Sequence, residues 1–127
     1  IEEHKMHKEW AKIPAETLWA IKKTKEEGGC VWALGTTVAR TLESYAEGKL
    51  EKQPDDSYIG ETDLFILPGY QYKIVDALLT NFHQPQSTLI ALVSAFTSLE
   101  HVLKSYRFAI EKKFRLFSYG DLSVWRK

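Results

Sequence analysis

Residues 80–96, TNFHQPQSTLIALVSAF, decide how this chain folds. They follow an apolar run at residues 74–79 and pass through a polar corner at residues 80–88. Four apolar residues then recur with the spacing of one helix face: Leu89, Leu92, Val93 and Phe96. The corner holds amide, imidazole, hydroxyl and aromatic groups within nine residues. A chain reversal needs fewer polar groups, so we interpret the corner as a candidate site.

The overall composition fits one domain, or part of one, because the chain has 127 residues of which 44% are hydrophobic. The 17 basic residues balance 17 acidic residues, which argues against a strongly basic nucleic-acid module but leaves room for a local basic patch. The single cysteine, Cys30, has no internal disulfide partner, which favours a reduced, cytoplasmic setting. No apolar run approaches the roughly 18 residues of a membrane helix. Because the chain begins at Ile1 and already looks structured there, we expect a piece of a longer protein.

The first ten residues, IEEHKMHKEW, show no clean period, so both a strand and an irregular segment remain open. His4, His7 and Glu9 form a His-x-x-His-x-Glu pattern. A metal site is the weaker reading of this pattern, because no cysteine lies nearby. Ordinary surface or hydrogen-bonded histidines are the favoured reading.

A helix is predicted after Pro14, which suits a first helical position, and Gly28-Gly29 ends it. The lysines near its end, Lys22, Lys23 and Lys25, are expected to face water. Residues 30–34, CVWAL, are an apolar run of strand length, which is typical of strands buried on both faces.

The turn Gly35-Thr36-Thr37 comes directly before a second helix, whose apolar stripe repeats at helical spacing. Thr36 or Thr37 is predicted to cap this helix, and its free N–H groups suit an anion. A capped helix start without a ligand remains the alternative. Arg40 and Glu43 are three residues apart and are predicted to pair, either as a surface ion pair or with Arg40 near a ligand at the turn.

The remaining segments alternate between strand and helix patterns. Residues 49–62 are predicted to form a polar surface segment, residues 63–67 a short strand, and residues 99–110 a helix. Residues 114–117 and 122–125 are predicted strands, and Asp76 needs partners because it interrupts an apolar run. The alternation predicts an α/β layered fold, an α/β/α sandwich with a largely parallel sheet.

Three polar corners follow strand-like runs, at residues 35–37, 81–83 and 118–121. Ligands of parallel sheets gather beyond the carboxyl ends of the strands, so corners that leave parallel strands share one rim. We therefore predict that the three corners form one site.

The corners and their neighbours resemble the S-adenosylmethionine:tRNA ribosyltransferase-isomerase family of queuosine biosynthesis. The similar motifs occur in the family's order across nearly the whole chain. They include His4-Lys5-Met6-His7-Lys8-Glu9, Gly35-Thr36-Thr37 with Arg40, Pro68-Gly69-Tyr70, Val75-Asp76-Ala77-Leu78, Thr80-Asn81-Phe82-His83 with Pro85, Ser87-Thr88-Leu89, and Phe117-Ser118-Tyr119-Gly120-Asp121. The chain departs from the family at Gln84, where leucine is usual, and at Val38-Ala39, Phe114 and Leu116.

The resemblance implies that this chain is the C-terminal part of a main α/β domain, without the N-terminal part and an inserted β-barrel domain. It implies transfer and isomerisation of the ribosyl part of S-adenosylmethionine onto 7-aminomethyl-7-deazaguanine at the tRNA wobble position. The product is epoxyqueuosine, and adenine and methionine leave. S-adenosylmethionine is then a substrate, tRNA is the partner, no metal or membrane is involved, and the intact enzyme is a cytoplasmic monomer.

Under this resemblance we predict three catalytic residues: His83, Asn81 and Asp121. His83 is the acid/base candidate because imidazole titrates near neutral pH, although a histidine without chemistry remains open. The predicted substrate-binding residues are Gly35, Thr36, Thr37, Arg40, Ser87, Thr88, Ser118, Tyr119, His7 and Glu9. Five basic residues are candidates for tRNA phosphates or for a solvated face: Lys112, Lys113, Arg115, Arg126 and Lys127.

Two other classes remain open at this stage. The chain is an inactive or half-site fragment of that enzyme, or it is a nucleotide-binding α/β hydrolase domain. The sequence holds neither a Gly-x-Ser-x-Gly elbow nor a Walker motif, which counts against the hydrolase.

Overall fold

A computed structural model describes residues 8–83, 88–114 and 121–127 of the chain. The described elements are, in chain order, β1 Glu9–Ile13, α1 Ala15–Glu26, β2 Trp32–Leu34, α2 Thr36–Ala46, β3 Glu51–Lys52, β4 Tyr58–Thr62, β5 Ala77–Asn81, α3 Thr88–Ser94, α4 Leu99–Glu111 and β6 Leu122–Arg126. None of the described helices is long and apolar enough to cross a membrane.

The strands form two sheets of three strands each. In the first sheet β4 lies between β1 and β3, and both pairings are antiparallel. In the second sheet β5 lies between β2 and β6, parallel to β2 and antiparallel to β6. The α/β class is confirmed, but the largely parallel sheet is wrong, because only the β2–β5 pair is parallel among the described strands. Periodicity identifies a strand but carries no information on its direction.

Between α2 and β5 the sequence missed two strands, and the one strand that it predicted is wrong. Residues 49–62 were expected to be a polar surface segment, yet they contain β3 and β4. Residues 63–67 form no strand, although Ile66 in this run is only 2% exposed. A short apolar run can contribute buried side chains to the hydrophobic core without pairing as a strand. Its composition alone therefore did not determine its backbone conformation.

The predicted helices are confirmed, with corrections at their surfaces. Pro14 precedes the first turn of α1 as its N-cap, one position earlier than expected. Lys25 of α1 does not simply face water, because its Nζ lies 2.8 Å from the Asp76 carboxylate. Asp76 thereby finds the partners that its apolar surroundings required, and it also accepts a hydrogen bond from the backbone N–H of Val31 at 2.8 Å.

The hydrophobic core lies between the helices and one face of the second sheet. Ala33 of β2, Leu78 of β5 and Trp125 of β6 are buried on that face. The opposite face remains apolar but open: its large side chains on the two edge strands, Trp32, Leu34, Leu122 and Val124, are each about half exposed or more. The prediction that β2 is buried on both faces is therefore wrong for this chain.

Glu43 fixes the loop between β4 and β5 to α2. Its side chain is fully buried and accepts hydrogen bonds from the Tyr70 hydroxyl and from the backbone N–H groups of Lys73, Ile74 and Val75, at 2.7–3.0 Å. The predicted Arg40–Glu43 surface pair is wrong, because both side chains are buried and each has other partners. Helical spacing placed them near one another, but the partners come from elements distant in sequence.

Candidate functional site

Two of the three polar corners meet at one edge of the second sheet. β2 and β5 are parallel, so Gly35 after β2 and Phe82 after β5 leave the sheet on the same side. The backbone N–H of Gly35 donates to the carbonyl of Leu79 at 2.9 Å, which joins the two corners directly. The predicted convergence of these two corners is confirmed, and we call this edge the rim.

Asp121, the last residue of the third corner, lies at the rim because β6 is antiparallel to β5. Leu122, the first residue of β6, pairs with Asn81, the last residue of β5. Asp121 immediately precedes β6 and therefore lies beside the end of β5. An antiparallel strand begins where its neighbour ends, so Asp121 lies where we expected a residue that follows a parallel strand. Ser118 and Tyr119 lie outside the described residues.

Glu9 is held at the N-terminal turn of α2 by residues of that helix. Its carboxylate accepts a hydrogen bond from Arg40 Nη1 at 2.6 Å and from the Thr37 hydroxyl at 3.4 Å. The Arg40 side chain is 4% exposed and also donates from Nη2 to the Thr62 carbonyl at 3.2 Å, whereas the Glu9 side chain is 40% exposed. The group that faces solvent here is thus the carboxylate, and the guanidinium lies beneath it. Arg40 thus supports Glu9, and its contribution of charge to an anion site stays a prediction.

Gly35 makes the turn between β2 and α2 possible. Its φ of 98° lies in the left-handed region that disfavours residues with a Cβ. Gly35 itself is the N-cap and no side chain caps the helix, so the predicted cap by Thr36 or Thr37 is wrong. The N–H groups of Thr36, Thr37 and Val38 have no acceptor within residues 8–83, 88–114 and 121–127. They remain available to a ligand, as the first N–H groups of an uncapped helix are.

His83 is half-buried and is held by two other side chains. Its Nε2 lies 3.0 Å from the Thr80 hydroxyl, and its backbone N–H donates to the Tyr106 hydroxyl at 2.8 Å. Burial lowers the pKa of His83 because the cation is poorly solvated there. The lowered pKa favours the neutral form of the imidazole.

The other predicted site residues are only partly placed. Asn81 ends β5 at the rim, and its side chain forms no hydrogen bond with the described part of the chain. Thr88 is the first residue of α3. Ser87 and His7 lie outside the described residues, as does His4 of the metal alternative. Among the residues that the structure describes, no three His, Cys, Asp or Glu side chains cluster as metal ligands.

Sequence reasoning missed Thr80 and Tyr106, which are the partners of His83. Thr80 stood in the quoted corner, and a hydroxyl three residues before a histidine was the available signal. Tyr106 looked like one member of an apolar helix stripe. Its hydroxyl meets the His83 backbone only because α4 folds against the corner, so no local pattern indicated it.

The fold and the rim together define an α/β domain with polar groups gathered beyond the end of a strand pair, a common place for ligand sites. Residues 1–124 match the family described as "Queuosine biosynthesis protein". The chain belongs to this family.

Two named proteins resemble the chain closely. An S-adenosylmethionine:tRNA ribosyltransferase-isomerase of Polynucleobacter necessarius subsp. necessarius (strain STIR1) is 56% identical over 121 residues, covering 95% of this chain and 33% of the relative. The crystal structure of an S-adenosylmethionine tRNA ribosyltransferase from Thermotoga maritima matches with a TM-score of 0.81 and 43% identity. That match covers 91% of this chain and 39% of the other. The chain thus spans about a third of the length of the curated relative.

Proposed function

We propose that this chain is part of an enzyme that transfers and isomerises the ribosyl moiety of S-adenosylmethionine onto 7-aminomethyl-7-deazaguanine at the tRNA wobble position. The product is epoxyqueuosine in tRNA. The family and the names of the two relatives support the reaction. The meeting of the polar corners at the rim is the structural observation that carries the proposal.

The rim offers groups that suit the parts of S-adenosylmethionine. The N–H groups at the start of α2, which have no acceptor within the described residues, suit the methionine carboxylate, because the positive end of a helix dipole favours an anion. The Glu9 carboxylate, oriented by Arg40, suits the ribose hydroxyls as a hydrogen-bond acceptor. Asp121 is proposed to accept from a ribose hydroxyl or the methionine amine. The remaining proposed substrate-binding residues are Gly35, Thr36, Thr37, Arg40, Ser87, Thr88, Ser118, Tyr119 and His7.

His83 and Asn81 are proposed to act on the reacting atoms. The reaction removes a proton beside the sulfonium and releases adenine, so it needs groups that accept and donate hydrogen bonds near neutral pH. His83 is neutral in that range, and its Nδ1 has no partner within the described residues. Asn81 lies two residues away at the end of β5.

The tRNA is proposed to approach over the C-terminal end of α4 and the end of β6. Lys112, Lys113 and Arg126 are exposed there, and cationic side chains of this kind contact phosphates. We further propose that the intact protein is a cytoplasmic monomer, with this chain as the C-terminal part of its main domain beside an inserted β-barrel domain.

A half-site is the second candidate, because one face of the second sheet is apolar and open. Exposed apolar patches of this kind mark a missing partner. In this case the rim binds S-adenosylmethionine only when the rest of the protein is present. The hydrolase alternative is not favoured, because the chain belongs to the queuosine biosynthesis family.

Calorimetry with S-adenosylmethionine, on this chain and on the intact protein, tests both candidates. Adenine release by the intact protein with tRNA that carries 7-aminomethyl-7-deazaguanine is the expected activity. Binding by the intact protein alone favours the half-site. Absence of adenine release by the intact protein contradicts the proposed reaction.

A further inference from the structure

The corner at residues 80–83 is held in place by buried side chains and hydrogen bonds. Thr80 and Tyr106 are each only 5% exposed, although both present a hydroxyl. The Thr80 carbonyl accepts a hydrogen bond from the Ser123 hydroxyl of β6 at 2.9 Å. The Phe82 ring packs edge-on against the Tyr106 ring, with the centroids 5.0 Å apart. The backbone on both sides of His83 is therefore tied to β6 and α4.

The Thr80 hydroxyl determines which nitrogen of His83 carries the proton. Its single hydrogen-bond partner within the described part of the chain is His83 Nε2, at 3.0 Å. A buried hydroxyl is rarely left without an acceptor for its proton. If Nε2 carried the proton and donated to Thr80, the Thr80 proton would have no acceptor among these residues. The hydroxyl therefore donates to Nε2, and the neutral ring has its proton on Nδ1.

This arrangement defines the hydrogen-bonding role of the other ring nitrogen, Nδ1. Nδ1 has no hydrogen-bond partner within residues 8–83, 88–114 and 121–127, and the His83 side chain is only half-buried. A neutral ring with Nε2 occupied offers one N–H donor to a ligand and no lone pair. Enzymes use neutral imidazole in this way, as an electrophile that stabilises developing negative charge.

We infer that His83 is a neutral hydrogen-bond donor through Nδ1, and that Thr80 and Tyr106 are the residues that position it. This rests on the proposed function, and it assigns His83 the donor half of the acid/base role. The matching group on the ligand is an acceptor of a nucleoside substrate, either a ring nitrogen or a sugar oxygen. The base for the proton beside the sulfonium is then a different residue.

The tautomer of His83 is measured directly by NMR of the intact protein labelled with ¹⁵N-histidine, with the His83 signals assigned by their loss in His83→Asn. We expect the wild-type ring to be neutral near neutral pH with its proton on Nδ1. Thr80→Val removes the hydroxyl at nearly constant volume, and we expect the proton to shift largely to Nε2. Thr80→Ser retains the hydroxyl and is expected to keep the wild-type tautomer.

Turnover of the same variants separates a positioning role from a purely structural one. Thr80→Val is expected to lower kcat about tenfold or more with little change in KM, the loss that follows removal of an interaction made in the transition state. Thr80→Ser is expected to stay within about threefold of wild type. Tyr106→Phe is expected to lower kcat while the proton stays on Nδ1, because it loosens the backbone and leaves the ring's partner in place.

A proton on Nε2 in the wild-type protein overturns the inference, and so does a Thr80→Val variant with an unchanged tautomer. Full turnover of His83→Ala instead overturns the role of His83 in the proposed function, even where the tautomer is the expected one. The NMR and kinetic results therefore distinguish failure of the inference from failure of the proposed function.

Discussion

Glu43 is a buried polar side chain and His83 is a half-buried one. They differ in how much of their hydrogen-bonding capacity is filled by the described part of the protein. Each carboxylate oxygen of Glu43 accepts two hydrogen bonds, and all four donors lie in the loop at residues 70–75. His83 uses one ring nitrogen for Thr80, and the other has no hydrogen-bond partner within the described residues. A polar group whose hydrogen-bonding capacity is filled internally serves the fold, whereas one with remaining capacity at a sheet edge is available to a ligand.

Glu9 lies between these two cases. Arg40 and Thr37 fix the direction of its carboxylate, but its side chain is still 40% exposed. The comparison therefore predicts that substitution of Glu43 affects stability, that substitution of His83 affects turnover, and that substitution of Glu9 affects both slightly.

Glu43→Gln is expected to have the largest effect on stability. Glutamine would replace one carboxylate oxygen with an NH₂ group, which cannot accept the hydrogen bonds that the loop at residues 70–75 donates there. The buried N–H groups of this loop would also lose a charged acceptor. We expect the free energy of unfolding to fall by roughly 2–4 kcal/mol. Urea unfolding of the intact protein measures the change. Glu111→Gln, at the exposed end of α4, is the matched control, and a similar small loss in both variants contradicts the structural role of Glu43.

His83→Ala is expected to lower turnover at least about tenfold with the fold intact, because it removes the group at the rim that is placed to act on the substrate. Adenine release by the intact protein measures turnover, and circular dichroism checks the fold. His101→Ala, at an exposed position of α4, is the control. Equal turnover in the two variants makes His83 a structural residue like Glu43.

Glu9→Gln is expected to raise KM for S-adenosylmethionine several-fold, because the amide is a weaker acceptor for ribose hydroxyls. Its effect on the free energy of unfolding is expected to be about 1 kcal/mol, since the Arg40 charge beneath it loses a partly exposed partner. Steady-state kinetics and urea unfolding measure the two effects. Glu61→Gln on β4 should change neither, and an unchanged KM in Glu9→Gln removes Glu9 from the binding site.

Asp76 gives the smallest effect, which is visible only in acid. Burial would raise the pKa of its carboxyl, but the hydrogen bonds from Lys25 and from the Val31 N–H and the charges of Lys25 and Lys127 outweigh burial, so the pKa lies below the ordinary 3.8. A depressed pKa in the folded state stabilises the protein above 3.8, and this contribution is lost as the pH falls below that value.

Asp76→Asn should therefore flatten the acid side of the stability curve, as measured by urea unfolding midpoints across the acid range. Asp63→Asn, at an exposed position, serves as the control. An unchanged acid side in Asp76→Asn shows that this carboxylate contributes nothing to the pH dependence.

The sequence predicted the helices well because their apolar stripes are long enough to show a period. α2 and α4 both carry such stripes, and both lie where the pattern placed them. The strands were harder, because a run of three to five residues has little periodicity. Residues 63–67 looked like a strand and are not one, while β3 and β4 lay in a segment that looked like a surface loop.

The convergence of two polar corners was predictable from the sequence, and the contacts within them were less so. The Gly-Thr-Thr and Asn-Phe-His corners stood out by composition, and the parallel β2–β5 pair brings them together. Arg40 was expected to face a ligand, but it lies beneath Glu9, a residue 31 positions earlier. The charge of a residue does not show whether its side chain is buried. The sequence therefore could not indicate that Glu9 is exposed and that Arg40 lies beneath it.

The sequence by itself determined the α/β class, the positions of the helices and the polar corner at residues 80–88, because local periodicity and composition encode them. The tertiary structure alone decided the direction of β6, the exposure of Glu9 over Arg40 and the partners of His83. Each of these depends on contacts between residues far apart in the chain. Thr80 belongs to this corner, but only the packing of α4 and β6 around it buries its hydroxyl beside the His83 ring.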